Sequence, residues 1–158
     1  MNYAVISTDS NLDYAFLVPF AALCLRRRGF TPLLILVGTP EQWLDDPRLR
    51  LVLERSREVG AKIHFVSIPG AKTATVAQCS RLFAAGLPGI REGDVILSSD
   101  VDMLVLGPWV GGVEPSGQKV QSYFSNAYSS GPCPHDGGRT NPCPCLPICY
   151  IKAPAKTW

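Results

Sequence analysis

Four short strand-like runs, Tyr3 to Thr8, Leu33 to Val37, Lys62 to Ile68 and Val95 to Leu97, are separated by segments with a helical period. No other feature constrains the fold as much. Strands that alternate with helices are joined by crossovers and therefore lie parallel in one sheet. Such a sheet is covered on both faces, so its strands read as continuous apolar runs, as in Val95-Ile-Leu97. The expectation is an α/β fold, a mostly parallel sheet flanked by helices.

The intervening segments carry their own start and stop signals. After the polar turn Asp9-Ser-Asn-Leu-Asp13 the sequence predicts a helix from Tyr14 to Arg28, with Pro19 in its first turns or at a kink. Arg26-Arg27-Arg28 and Gly29 close it, because cations favour a helix carboxyl end. Thr39-Pro40-Glu41-Gln42 offers an N-cap, a proline at the first helical position and a capping-box glutamine, which predicts a short helix through Trp43. Asp46-Pro47 opens another, with Leu49, Val52 and Leu53 facing inward and Gly60 at its end. Thr75 to Gly86 reads as a helix with Val76, Cys79, Leu82 and Phe83 on one face. Beyond Gly107-Pro108 the pattern changes to a candidate strand from Lys119 to Phe124, a loop over 129–147 rich in proline, glycine and cysteine, and a last short strand from Ile148 to Ile151.

The 158 residues suit a single domain that can bury its own core. With a net charge of +2 and dispersed basic residues, the chain shows no nucleic-acid stripe. The longest apolar run, Ala15 to Leu25, is shorter than the roughly 20 residues that span a bilayer, and no basic leader precedes the first strand. A soluble chain is expected, cytoplasmic or, with an anchor upstream, Golgi-lumenal. Of six cysteines, Cys24 and Cys79 fall in apolar helical patterns and read as buried thiols. Cys133, Cys143, Cys145 and Cys149 cluster with His135, but Cys-x-His and Cys-x-Cys spacings are tight for a tetrahedral zinc site. Unpaired thiols are favoured over a disulfide or zinc.

The chemistry concentrates in Asp94-Val-Ile-Leu-Ser-Ser-Asp-Val-Asp102. If the strand continued to its end, Asp100 and Asp102 would project to one side, because strand side chains alternate. Hard divalent cations take one or two carboxylates and complete their shells with water and phosphate oxygens. Ligands of open α/β sheets bind outside the carboxyl ends of the strands, where this pair lies. The competing reading of Asp100 and Asp102 is a solvated, capped turn.

The order of motifs resembles the GT-A glycosyltransferases, the nucleotide-diphospho-sugar transferase superfamily. The residues that carry the likeness are Tyr3-Ala-Val-Ile-Ser-Thr-Asp-Ser-Asn11, the helix ending in Arg-Arg-Arg-Gly with the strand Leu-Leu-Ile-Leu-Val-Gly, Gln78-Cys-Ser-Arg-Leu-Phe83, and Ser98-Ser-Asp-Val-Asp-Met103 followed by Leu104-Val-Leu-Gly-Pro108. The likeness spans about residues 2 to 110 and, more thinly, Ile148 to Trp158, and is nearest the glycogenin-like and galactosyltransferase-like family-8 branch. It implies a GT-A, Rossmann-like fold, with 1–110 as nucleotide-binding half and 111–158 as a partial acceptor-side half. It also implies a UDP- or GDP-sugar donor, Mn2+ or Mg2+, and glycosyl transfer to a glycan, protein or lipid acceptor. Asp100 and Asp102 would hold the metal, with Asp100 also reaching the ribose. Thr8, Asp9 and Asn11 would grip the base and ribose, although all three also suit helix capping. Arg81 would meet the diphosphate, a surface ion pair being the alternative.

The later histidine that completes the metal shell in that branch has no match here, and a full catalytic domain of this type exceeds 200 residues. The chain therefore reads as truncated, and no catalytic nucleophile or base is assigned. A sugar-nucleotide-binding module without efficient transfer is the second reading. A nucleotidyltransferase is the third, although the turn after the first strand lacks a glycine-rich phosphate loop, and the absence of G-x-G-x-x-G argues against a dinucleotide oxidoreductase.

Overall fold

A computed structural model of the chain describes residues 1–106, 121–122 and 151–154, the last two stretches as backbone. The elements are β1 (Asn2–Thr8), α1 (Leu12–Ala15), α2 (Val18–Arg27), β2 (Thr31–Val37), α3 (Pro40–Asp45), α4 (Pro47–Glu58), β3 (Lys62–Val66), α5 (Thr73–Ser80), a 3-10 helix (Arg81–Gly86), β4 (Val95–Ser99), β5 (Gln121–Ser122) and β6 (Ile151–Pro154). They build a sheet in the order β3-β2-β1-β4-β6-β5. β3, β2, β1 and β4 run parallel, while β6 is antiparallel to both β4 and β5. The expected α/β fold, with a mostly parallel sheet flanked by helices, is the fold observed.

Side-chain alternation along the strands builds two apolar layers. Ala4, Ile6, Leu34, Leu36 and Leu97 pack against Ala21, Leu25, Leu49 and Leu53 of α2 and α4. Val5, Leu33, Ile35 and Ile96 pack on the opposite face against Ala84. The chain advances from β1 to β3 with its helices on one face, then returns across β2 and β1 to β4 over the other. Right-handed crossovers require that change of face when the direction of travel reverses.

Local signals hold where the chemistry is local. The capping box forms as expected: the Gln42 amide donates to Thr39 Oγ1 at 3.4 Å and the Thr39 amide to Gln42 Oε1 at 3.0 Å. Asp46 caps α4 through the Arg48 amide at 2.8 Å. Trp43 is fully buried and donates its indole N–H to the Val37 carbonyl at 3.0 Å.

Other expectations are corrected. The single helix over Tyr14 to Arg28 is two, because Pro19 lacks an N–H and sits where α2 restarts. β3 stops at Val66, leaving Ile68 exposed. The helix over Thr75 to Gly86 begins at Thr73 and becomes 3-10 at Arg81. Arg81 and Ala84, four and seven residues after buried Ala77, share its face and are buried, while Phe83 is 74% exposed and Leu82 39%. Neither helical cysteine is a buried thiol: Cys79 is exposed and Cys24 half-buried.

Two terminal strands were expected. Gln121–Ser122 falls within the range 119–124, and β6 begins at Ile151 and runs to Pro154 rather than ending at 151. The remainder of 119–124 and 148–151, the loop 129–147, and Cys133, His135, Cys143, Cys145 and Cys149 lie outside the described residues. Among the described residues, no helix is long and apolar enough to cross a membrane.

Candidate functional site

The sheet order places a topological switch point between β1 and β4, where connections leave in opposite directions and open a crevice at the carboxyl ends. A cavity of about 300 Å3 occupies that crevice. β1 and its turn contribute Ser7, Thr8 and Asp9, and α1 contributes Tyr14. Ala74, Ala77 and Gln78 of α5 form one wall with Arg81, and Asp100, Val101 and Asp102 close the cavity after β4.

The β1 turn is held by its own polar groups. Asp9 accepts from the Asn11 amide at 3.1 Å with one carboxylate oxygen and from the Thr73 hydroxyl at 2.7 Å with the other, tying β1 to the start of α5. Asn11 caps α1, accepting from the Asp13 amide at 3.1 Å, and is not among the cavity-lining residues. Thr8 is buried and donates to the Asp9 carbonyl at 3.2 Å. Ser7 reaches the Ile35 carbonyl and the Ser80 hydroxyl, each at 2.8 Å, and so fixes α5 against β1 and β2.

Asp100 and Asp102 do share one cavity, but not by strand alternation. β4 ends at Ser99, and the two carboxylates occupy the turn beyond it. Between them Val101 is buried in the core, an apolar anchor that leaves its neighbours at the cavity. Asp102 is exposed. Asp100 pairs with Arg81, whose Nη1 donates to Asp100 Oδ1. Only 7% of the Arg81 side chain is exposed, against 36% of Asp100. The Arg81 Nε–H is buried with no acceptor among the described residues. Arg81 is thus a buried cation held by one partner.

Among the described residues, three carboxylates (Asp9, Asp100, Asp102) and one guanidinium (Arg81) line the cavity, a formal balance of two negative charges. A diphosphate entering alone would be repelled: like charges about 4 Å apart interact by roughly 4 kcal/mol at an effective dielectric of 20. A divalent cation reverses that. Among the described residues, no group of three or more ligating side chains exists that could hold a metal by itself. Asp100 and Asp102 are the side chains that could hold a Mg2+- or Mn2+-like ion, a class that takes one or two carboxylates and completes its shell from water and phosphate oxygens.

The residues expected from the sequence thus converge, Asn11 excepted. Ser7, Tyr14 and Gln78 were not anticipated. The signal for the α5 wall is a stripe at helical spacing, Ala74, Ala77, Gln78 and Arg81, whose small members leave room for a ligand.

This architecture is the GT-A fold. No family model matches the chain, and no curated protein is similar enough in sequence to count as a relative. Among solved structures, galactosyltransferase LgtC in complex with donor and acceptor sugar analogues is similar, with a TM-score of 0.62 at 15% identity over 100% of this chain and 59% of LgtC. An active-site mutant of LgtC gives 0.60 at 16% identity with the same coverage. Glycosyltransferase GlyE of Streptococcus pneumoniae TIGR4 gives 0.50 at 15% identity over 99% of this chain and 34% of GlyE. The chain therefore spans 59% of the length of LgtC.

Proposed function

We propose that the chain carries the donor site of a metal-dependent glycosyltransferase, binding a UDP- or GDP-sugar with Mn2+ or Mg2+ at the β1/β4 switch point. The observation that carries this reading is that Asp100, ion-paired to the buried Arg81, and Asp102 line one crevice at the carboxyl ends of the strands. The likeness to LgtC and GlyE supports the fold context. Asp100 and Asp102 would hold the metal, which when bound neutralises charge on the departing diphosphate. Arg81 would offer guanidinium N–H groups to a phosphate oxygen. Thr8 and Asp9, at the end of β1, would meet the ribose and base, and the half-exposed ring of Tyr14 could stack on the base. The acceptor would be a glycan, protein or lipid.

A second reading, a sugar-nucleotide-binding module without efficient transfer, is favoured by one observation: the described residues supply two carboxylates and no third metal ligand. A thermal-shift screen of UDP, GDP and their sugars, with Mn2+ or with EDTA, tests the shared claim, since ligand binding stabilises the folded state by mass action. A metal-dependent rise in Tm is expected, and no shift with any nucleotide would remove both readings. Sugar transfer to an added acceptor, at about 1 per second or faster, would decide for the enzyme over the module.

A further inference from the structure

We infer that Arg81 couples metal binding to diphosphate binding: it serves as resident counter-cation of Asp100 and yields that carboxylate to a metal only when a diphosphate replaces it. This deepens the donor-site reading and rests on it.

A guanidinium cannot shed its proton, so burying Arg81 is costly unless an anion lies beside it. In this chain it has Asp100, through one N–H, and its buried Nε–H has no acceptor among the described residues. Asp9 is held toward the β1 turn and α5 by hydrogen bonds from Asn11 and Thr73 and is not the carboxylate that Arg81 pairs with. Asp102 is an intended metal ligand. A divalent cation at Asp100 and Asp102 would therefore set two positive charges beside Arg81 while withdrawing its counterion, which weakens metal binding in the absence of nucleotide. A bare diphosphate meets three carboxylates and also binds weakly. Together they complete each other: phosphate oxygens finish the metal shell and take over the Arg81 N–H groups. The resulting coupling must be reciprocal.

The experiment measures binding of Mn2+ alone, UDP alone and UDP with saturating Mn2+ by calorimetry, with Mn2+ electron paramagnetic resonance as a second readout, for wild type, Arg81→Met, Arg81→Gln and Arg81→Lys. Two neutral variants guard against one failing to fold, and circular dichroism verifies each. In the neutral variants Mn2+ alone should bind several-fold more tightly than in wild type, while the factor by which Mn2+ tightens UDP falls about tenfold or more. Arg81→Lys keeps the charge and should retain wild-type weakness toward Mn2+ alone and part of the coupling. Weaker Mn2+ binding in the neutral variants, or an unchanged coupling factor, would overturn the inference and leave the donor site standing. Wild-type protein that binds no UDP even with saturating Mn2+ would overturn the donor site itself.

Discussion

The ion pair between Arg81 and Asp100 joins a side chain 7% exposed to one 36% exposed, so deleting its two halves should have unequal effects on stability. Asp100→Ala strands a buried guanidinium that already has one unsatisfied N–H. Breaking a fully buried pair from one side costs about 3–5 kcal/mol. Because water reaches the Asp100 side, that figure is discounted to about 2–3 kcal/mol. Arg81→Met instead removes the buried charge, retains most of the apolar stem, and leaves a carboxylate that water can reach, so it should cost less than about 1 kcal/mol. The double variant should resemble Arg81→Met, giving an interaction energy of about 2–3 kcal/mol in magnitude, the whole cost of Asp100→Ala alone. Urea unfolding at pH 7 measures all four proteins, with unchanged slopes confirming that only stability has moved. Equal losses for the two single variants, or a larger loss for Arg81→Met, would refute this account of the pair.

Other outcomes follow from single observations. Trp43→Phe should lose about 1–3 kcal/mol in the same unfolding assay, since it vacates volume at a fully buried site and leaves the Val37 carbonyl without its donor. Asp46 has its carboxyl lowered from an ordinary 3.8 to about 2, first by the Arg48 side chain and then by the Arg48 amide. A lowered folded-state value adds stability above the ordinary one and loses it as pH falls from 3.8 to about 2. Asp46→Asn, which keeps a capping side chain, should therefore flatten the acid limb of a stability-against-pH curve over that window, and an unaltered limb would contradict the assignment. The cysteine cluster over 133–149 should carry no stoichiometric zinc by metal analysis, whereas one zinc per chain would make it a structural knuckle.

Much of this architecture was legible because its causes are local. Thr39 and Gln42 announce a capping box three residues apart, and Asp46-Pro47 a second helix start. The apolar runs of β1, β2 and β4 announce strands covered on both faces. Asp100 and Asp102 were visible as strand-end carboxylates, although their convergence depends on the turn around buried Val101 and not on the pleat. What sequence could not supply is helix rotation. The face that turns inward is set by Ala77, with Arg81 and Ala84 four and seven residues on and Ala84 packed against Val5 and Ile96, whereas the apolar character of Leu82 and Phe83 had suggested the other face. Tyr14 escaped notice for the same reason: the break before Pro19 separates a short α1 from α2, and only the folded turn brings Tyr14 to the cavity.

On the proposed reading, Asp100 and Asp102 make nucleotide binding depend on a divalent cation. Calorimetric titration of UDP and GDP into wild type and Asp102→Ala, each in Mn2+ and in EDTA, tests it most directly. Wild type should bind one of the two at least about tenfold more tightly in Mn2+, a difference of about 1.4 kcal/mol, and Asp102→Ala should erase most of that gain. Equal affinities in Mn2+ and EDTA, or a metal dependence that survives in Asp102→Ala, would contradict it.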